Sequence, residues 1–414
     1  MLVTGGKFKS NEGAHAACRR TVKTRIRVFP MVNIFTGKLG VQQRVLPTYR
    51  VPFFDTLASR CTDGLSVFAG LPRPDEAIAC EGELEIAIRA RARNVHLMSG
   101  RFYLCWQRGI KDWLDHWSPD ALVVAADPRL LSARTAIRWS RNHDVPVIGW
   151  GLGTLNESRG RAGLSMVSRL RSKLYRSYDA VIAYSSKAAD DYMRVGVPAE
   201  RIFIAHNAIS TEDAKAAVDR FPAGGKEVRK WRDNHGLTKP TIIFVGRLIR
   251  EKRLDLLIES CRAIGEHFDL LVVGDGPERT VLERIAAERY PATQFIGHQE
   301  GEQLSLAFAA ADLFVLPGTG GLAIYEAMAH GKPVIVGQGD GTEADLVQDG
   351  RNGILVAPDD VGELTNAIQS YIGHPDRIRE EGQESRHIID EEASIGKMAL
   401  TFVSALSYAV EANT

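Results

Sequence analysis

The chain predicts two α/β domains in tandem, each a doubly wound parallel sheet with helices on both faces. Three observations carry that prediction. At 414 residues the chain exceeds one ordinary hydrophobic core and suits two. Short apolar, β-branched segments alternate with helical stretches along both halves, the rhythm of right-handed crossovers between parallel strands. A charged, apolar-poor stretch containing FPAGG at 221–225 separates the two runs, so residues 211–240 read as a linker.

Residues 1–24 read as a flexible basic tail, since no apolar core follows their basic residues as a secretory signal requires. The first domain, 25–210, has expected strands at 25–30 (RIRVFP), 65–70 (LSVFAG), 121–126 (ALVVAA), 145–150 (VPVIGW), 179–185 (DAVIAYS) and 201–207 (RIFIAHN). Most lack polar alternation, as strands covered on both faces do. Helices are expected at 48–59, 110–117 and 132–142. The second domain, 241–383, repeats the pattern with strands at 241–246, 269–274, 293–297, 313–317, 333–337 and 353–356. Leu254, Leu257, Ile258 and Cys261 form a helical stripe facing a sheet. Residues 384–414 read as a C-terminal helix with the option of crossing back to the first domain.

Composition narrows the function. Lys and Arg number 52 against 51 Asp and Glu, a formal net charge of +1, which offers no case for a nucleic-acid partner. No apolar run exceeds six residues, so no transmembrane helix is expected. The five cysteines form no C-x-x-C and no His/Cys cluster, which points to a reducing, cytoplasmic compartment with neither a disulfide framework nor a zinc site. The balanced total hides a split, +13 over residues 1–210 and −12 over 211–414.

In doubly wound sheets ligands bind beyond the carboxyl ends of the strands, so the cleft between two such domains is the expected site. After the first strand of the second half comes GRLIREK (246–252), which places Gly246, Arg247 and Lys252 where a strand meets a helix. Two cations beside free amides suit a diphosphate; two solvated loop charges are the plainer alternative. The next strand ends in Gly274, Asp275 and Gly276, a tight turn that permits close backbone approach to a ligand. The fourth ends in a glycine turn through Gly320, Gly321 and Leu322 that opens a helix carrying Glu326, whose two oxygens suit a ribose diol. An acid favoured near a helix N-terminus is the alternative there.

GRLIREK, GDGP and GTGGLAIYEAMAHGKPVI, in this order and spacing, resemble the nucleotide-sugar-binding domain of glycosyltransferase family 4, retaining enzymes of the two-Rossmann GT-B architecture. The resemblance is specific over about 241–360 and looser over 25–210, in RVLPTYRVPFFDTLA (44–58) and YDAVIAYSSKA (178–188). It implies that Arg247 and Lys252 grip the donor diphosphate and Glu326 the ribose. Gly320, Gly321 and Leu322 would approach phosphate and sugar, and Ile296 to Gln299 would meet the base. It further implies a sugar transferase acting in cell-surface polysaccharide or glycolipid assembly on a glycan or lipid-linked acceptor. No metal or other cofactor is expected, since the cations would stabilise the leaving diphosphate and the chain has no D-x-D.

Two positions depart from the family pattern. Gly318 stands where a first glutamate is common, and Leu152 where a histidine is common. On the acceptor side, Gly37 and Lys38 are expected in a glycine-bearing loop at 36–40, with Arg44 behind them and Asp127 in the cleft. Arg169, Lys173 and Arg176 on one helix side, with Arg89, Arg91 and Arg93, leave an anionic membrane surface open as a partner, the enzyme then lying peripherally on the inner face of the cell membrane. The tryptophans read as core or cleft wall. A non-catalytic nucleotide-sugar or glycan-binding relative and a nucleotide-sugar epimerase of the same architecture stay open as alternatives. A nicotinamide oxidoreductase fits poorly, because Gly149, Gly151 and Gly153 come late and open no clean helix.

Overall fold

The computed structural model describes residues 33–76, 78–80, 82–153 and 166–413. The tail at 1–24 and the expected strand at 25–30 lie outside them.

The first domain contains β1 (Leu39–Val45), α1 (Val51–Ala58), β2 (Leu65–Gly70), β3 (Ile88–Arg91), the antiparallel pair β4 (Arg93–Leu97) and β5 (Leu104–Arg108), and α2 (Ile110–Trp117). β6 (Ala121–Ala125), α3 (Ser132–Asn142), β7 (Val147–Gly151), α4 (Met166–Arg176), β8 (Ala180–Ala183), α5 (Ser186–Arg194) and β9 (Ile202–Ile204) follow. Its main sheet has seven parallel strands in the order β3-β2-β1-β6-β7-β8-β9. One face packs on α1, and the other on α2, α3 and α5.

The second domain begins earlier than expected. Residues 211–240 are not a linker but two helices, α6 (Glu212–Arg220) and α7 (Lys226–Asn234), which bury Phe221, Val228 and Trp231 in the second core. Their charges form the solvated faces of amphipathic helices, which is why composition alone read as a break. There follow β10 (Thr241–Val245), α8 (Leu254–Ile264), β11 (Asp269–Val273), α9 (Arg279–Arg289), β12 (Thr293–Gly297), α10 (Gly301–Ala310) and β13 (Leu313–Leu316). α11 (Leu322–Ala329), β14 (Val334–Gly337), α12 (Thr342–Leu346), β15 (Gly353–Val356), α13 (Val361–Gln369) and α14 (Pro375–Glu391) complete it. The six-stranded parallel sheet runs β12-β11-β10-β13-β14-β15.

Two further expectations are corrected. The central strand of the first sheet is β1, which takes up part of the expected loop at 36–40. Its glutamines disguise it: Gln42 is fully buried, yet its amide donates to Gln107 Oε1 at 2.8 Å and to Ser132 Oγ at 3.2 Å. The amide nitrogen is thereby satisfied inside the core, while the buried Gln42 Oε1 has no hydrogen-bond partner. Secondly, Trp113, Trp139 and Trp150 are core residues as expected, but Trp106 is half exposed. In α4, Arg169, Lys173 and Arg176 are exposed, and Leu170 is exposed with them.

The C-terminal region is two helices. By length and composition, Pro375–Glu411 is apolar enough to cross a membrane. The chain breaks instead after Glu391, and Ser394 caps α15 (Ile395–Glu411) by accepting from the Lys397 amide. α14 stays on the second core, and α15 crosses back and buries Met398, Phe402, Val403 and Leu406 against the first. The Phe402 ring centroid lies 4.9 Å from Phe53 and 4.9 Å from Trp150. Phe402→Ala is expected to destabilise the first domain by about 3–5 kcal/mol. Differential scanning calorimetry should show its transition fall while that of the second domain stays in place.

Candidate functional site

Strand order reverses beside β1 in one sheet and beside β10 in the other, and both carboxyl edges open on the shared cleft. On the second domain three loops interlock there. A Cβ on Gly274 would lie 1.9 Å from the Gly246 carbonyl oxygen, at a φ of +135°. The turn is therefore glycine because backbone meets backbone, rather than to admit a ligand. Asp275 likewise serves the fold: its carboxylate accepts from the Gly276 amide at 2.7 Å and from Arg279 at 2.9 Å. Ile296 and Gln299 share a turn closed by Gln299 Nε2 donating to the Ile296 carbonyl at 2.8 Å.

Between the ends of β10 and β13, Lys252 Nζ donates to the carbonyls of Thr319 at 2.8 Å and Gly320 at 2.7 Å. These bonds pin the glycine turn and set the ammonium beside the amino end of α11. An ammonium has three donors, so one is left over. Burial lowers the Lys252 pKa, an effect that Asp340 opposes. Arg247 is exposed at the head of the same loop and has no ion-pair partner among the described residues. One turn into α11, Glu326 has a side chain only 25% exposed. Burial, with a smaller push from Asp213, raises its pKa to about 7. His330, one turn on, does not relieve it. Burial lowers the pKa of His330 to about 4, and neutral Nδ1 donates to the Glu326 carbonyl oxygen at 2.9 Å.

Gly318 is closed off. A Cβ there would meet the Glu251 carbonyl oxygen at 2.1 Å, so no carboxylate fits without moving the loop.

Of the four expected acceptor-side residues the structure brings together two. Arg44, at the end of β1, and Asp127, beyond β6, line a cavity of about 380 Å³ under the first sheet's carboxyl edge, with Arg50, Tyr103, Leu152 and Tyr184. Gly37 and Lys38 do not join them. They precede β1, at the opposite edge of the sheet, where the Lys38 amide donates to Asp120 Oδ2 at 2.7 Å. The loop precedes β1 instead of following a strand, so it lies at the end of the sheet away from the cleft.

Sequence reasoning passed over Arg50, which is buried and has no carboxylate partner among the described residues. Its guanidinium lies 4.7 Å from the Trp150 ring centroid and donates to Tyr184 OH at 3.2 Å. It also passed over Asp345, which reaches across from α12 and accepts from the Ser186 amide at the start of α5 at 2.6 Å. Nothing local marks either residue, because both act through contacts distant in sequence.

Profiles of two families match the chain. "Glycosyl transferases group 1" matches residues 226–393 and "Glycosyltransferase Family 4" matches residues 65–213, so they cover both sides of the cleft. The chain belongs to the group 1, family 4 glycosyltransferases. The chain is 31% identical to the sulfoquinovosyl transferase of Arabidopsis thaliana over 50% of its own length and 40% of that one. It is 31% identical to a GDP-mannose-dependent α-mannosyltransferase of Mycobacterium tuberculosis over 62% and 65%. Among several relatives the matched region spans about half their length. Anabaena HepE, crystallised with UDP, shares the fold at a TM-score of 0.67 and 18% identity over 89% of this chain and 99% of that one. WaaG, a glycosyltransferase involved in lipopolysaccharide biosynthesis, does so at 0.60 and 17% over 88% and 99%. The fold is GT-B, two Rossmann-like domains facing each other across the cleft.

The raised pKa of Glu326 has a consequence for stability. A carboxyl whose pKa is about 7 when folded and near 4.3 when unfolded stabilises the folded state below about pH 4, and that stability fades as pH rises towards 7. Glu326→Gln should lack this fall, so urea unfolding from pH 5 to 8 should show the variant gaining up to about 3 kcal/mol on the parent chain.

Proposed function

We propose that this glycosyltransferase moves a sugar from a nucleoside-diphosphate donor to a glycan or lipid-linked acceptor, with retention at the anomeric carbon, in cell-surface polysaccharide or glycolipid assembly. The observation that carries the proposal is the arrangement at the end of β10. Lys252 is fastened to the glycine turn at the mouth of α11, Arg247 is exposed beside it, and the buried Glu326 carboxyl stands one turn behind.

As the bond from sugar to phosphate breaks, negative charge grows on the leaving diphosphate. Arg247, the spare Lys252 donor and the α11 amides are held where that charge would develop and need little reorganisation to meet it. In its ionised form Glu326 accepts from two ribose hydroxyls. Ile296 and Gln299 are assigned to the base. The acceptor enters from the first domain, between Arg44 and Asp127, with Arg50 and Arg129 adding positive charge at the cavity wall. The relatives named for GDP-mannose support a sugar-nucleotide donor. So do the HepE structures with UDP and UDP-glucose. The four described cysteines are free thiols, in keeping with a reaction in the cytoplasm.

A second reading, a non-catalytic nucleotide-sugar-binding relative, is favoured by Gly318 and Leu152, which leave two common sugar-facing side chains without an equivalent. Release of nucleoside diphosphate from UDP-, GDP- and ADP-sugars, with and without acceptor, separates the two. Transfer requires acceptor-dependent release and an α-linked product from an α-linked donor, and binding without release leaves only the second reading. Arg247→Ala should weaken nucleoside-diphosphate binding by about 10- to 100-fold in calorimetry, the worth of a charge-assisted phosphate contact. Transfer should persist in EDTA, whereas loss that Mg²⁺ or Mn²⁺ restores would overturn the leaving-group role of the two cations.

A further inference from the structure

The antiparallel pair β4–β5 has two unlike faces. Register pairs Arg93 with Arg108, Val95 with Trp106 and Leu97 with Leu104 on one face, and Asn94 with Gln107 and His96 with Cys105 on the other. The second face looks inward: Cys105 and Gln107 are buried, and Cys105 and Tyr103 line the first-domain cavity. The first face looks outward and, beyond its Arg93–Arg108 pair, is apolar. Trp106 is 47% exposed and Leu97 40%, and Met98, where the turn begins, is 70% exposed. Large side chains gathered on one exposed face at the end of a ribbon are uncommon on a surface that meets only water.

The charge carried by the hairpin segment itself has one sign. From Ile86 to Lys111 the sequence holds Arg89, Arg91, Arg93, Arg101, Arg108 and Lys111 and no Asp or Glu. Arg91, Arg93 and Arg108 are exposed, and none of the three has an ion-pair partner among the described residues. An apolar tip with a tryptophan flank and a rim of unneutralised arginines complements a bilayer with anionic headgroups. The side chains enter the acyl boundary and the guanidinium groups meet the phosphates.

We propose that the outer face of the β4–β5 hairpin seats this protein on an anionic bilayer, with Leu97, Met98 and Trp106 at the headgroup–acyl boundary. Where the transferase reading holds, the inner face of the same hairpin delivers the acceptor cavity to the membrane surface, so that a lipid-borne acceptor reaches Arg44 and Asp127 without leaving the bilayer.

The test uses the full chain and vesicles of phosphatidylcholine alone or with about one-third phosphatidylglycerol, without nucleotide. Co-sedimentation should require the anionic lipid and weaken at high salt. Leu97→Asp combined with Met98→Asp should reduce binding at least about tenfold while thermal unfolding changes little, since Met98 is mostly and Leu97 partly in water already. Acyl-brominated lipid should quench tryptophan fluorescence, and Trp106→Phe should lose most of that quenching yet still sediment. Absence of vesicle binding by the parent chain, or equal binding by the double variant, overturns the proposal. So does a solution dimer that the double variant dissolves, which would assign the face to a second copy of the chain. Because vesicle binding is scored without donor or acceptor, failure of the transferase reading leaves this result standing.

Discussion

Contact of backbone with backbone at the carboxyl edge of the second sheet governs the rest of the molecule. Gly274 lies against the Gly246 carbonyl, Gly318 against Glu251, and a Cβ on Gly337 would meet the Pro317 carbonyl at 1.9 Å. Side chains are excluded at each of these crossings, so the loops after β10, β11, β13 and β14 are locked into one assembly. Lys252 ties that assembly to the mouth of α11, and Glu343 braces it from behind by accepting from the Gly339 and Gly341 amides. A rigid platform of this kind is what catalysis by electrostatic preorganisation requires, because its donors are already in place when charge moves.

The first domain is built to another rule. Its cleft wall is made of aromatic rings packed around one buried guanidinium, Arg50, rather than of interlocked glycines. The α15 helix completes that wall from the far end of the chain through Phe402. Asp345 then connects the two sides, with a carboxylate of the second domain at the amino end of α5 in the first, where a helix favours negative charge.

Much of this organisation was legible in the sequence where burial is uniform. All six strands of the second sheet fall within a residue or two of their expected ends, and the four inner ones, β10, β11, β13 and β14, are legible because strands covered on both faces are almost wholly apolar. Legibility failed where polar side chains are buried or apolar ones are displayed. β1 hides behind Gln42, whose partners Gln107 and Ser132 are far away in sequence. The β4–β5 hairpin hides because Val95, Leu97 and Trp106 alternate with buried polar residues, the inverse of the usual pattern. At the site, Arg247, Lys252 and Glu326 were readable because they follow strand ends in order. The placing of Leu39, Val41 and Val45 at odd positions of LGVQQRV, one face of a strand, was the signal that would have recovered β1 and kept Gly37 and Lys38 away from the cleft.

The polypeptide passes between the domains at two places, between Ala208 of the first core and Ala214 of the second, and again between Ala393 and Met398. Two covalent crossings define a line in space, as two hinges define the swing of a door. Relative rotation of the domains is thereby confined largely to one axis, and sliding or twisting motions that a single tether would allow are suppressed. A change in the width of the cleft is then a motion about that line, and it has to stretch or break the Asp345 and Lys187 contacts at α5.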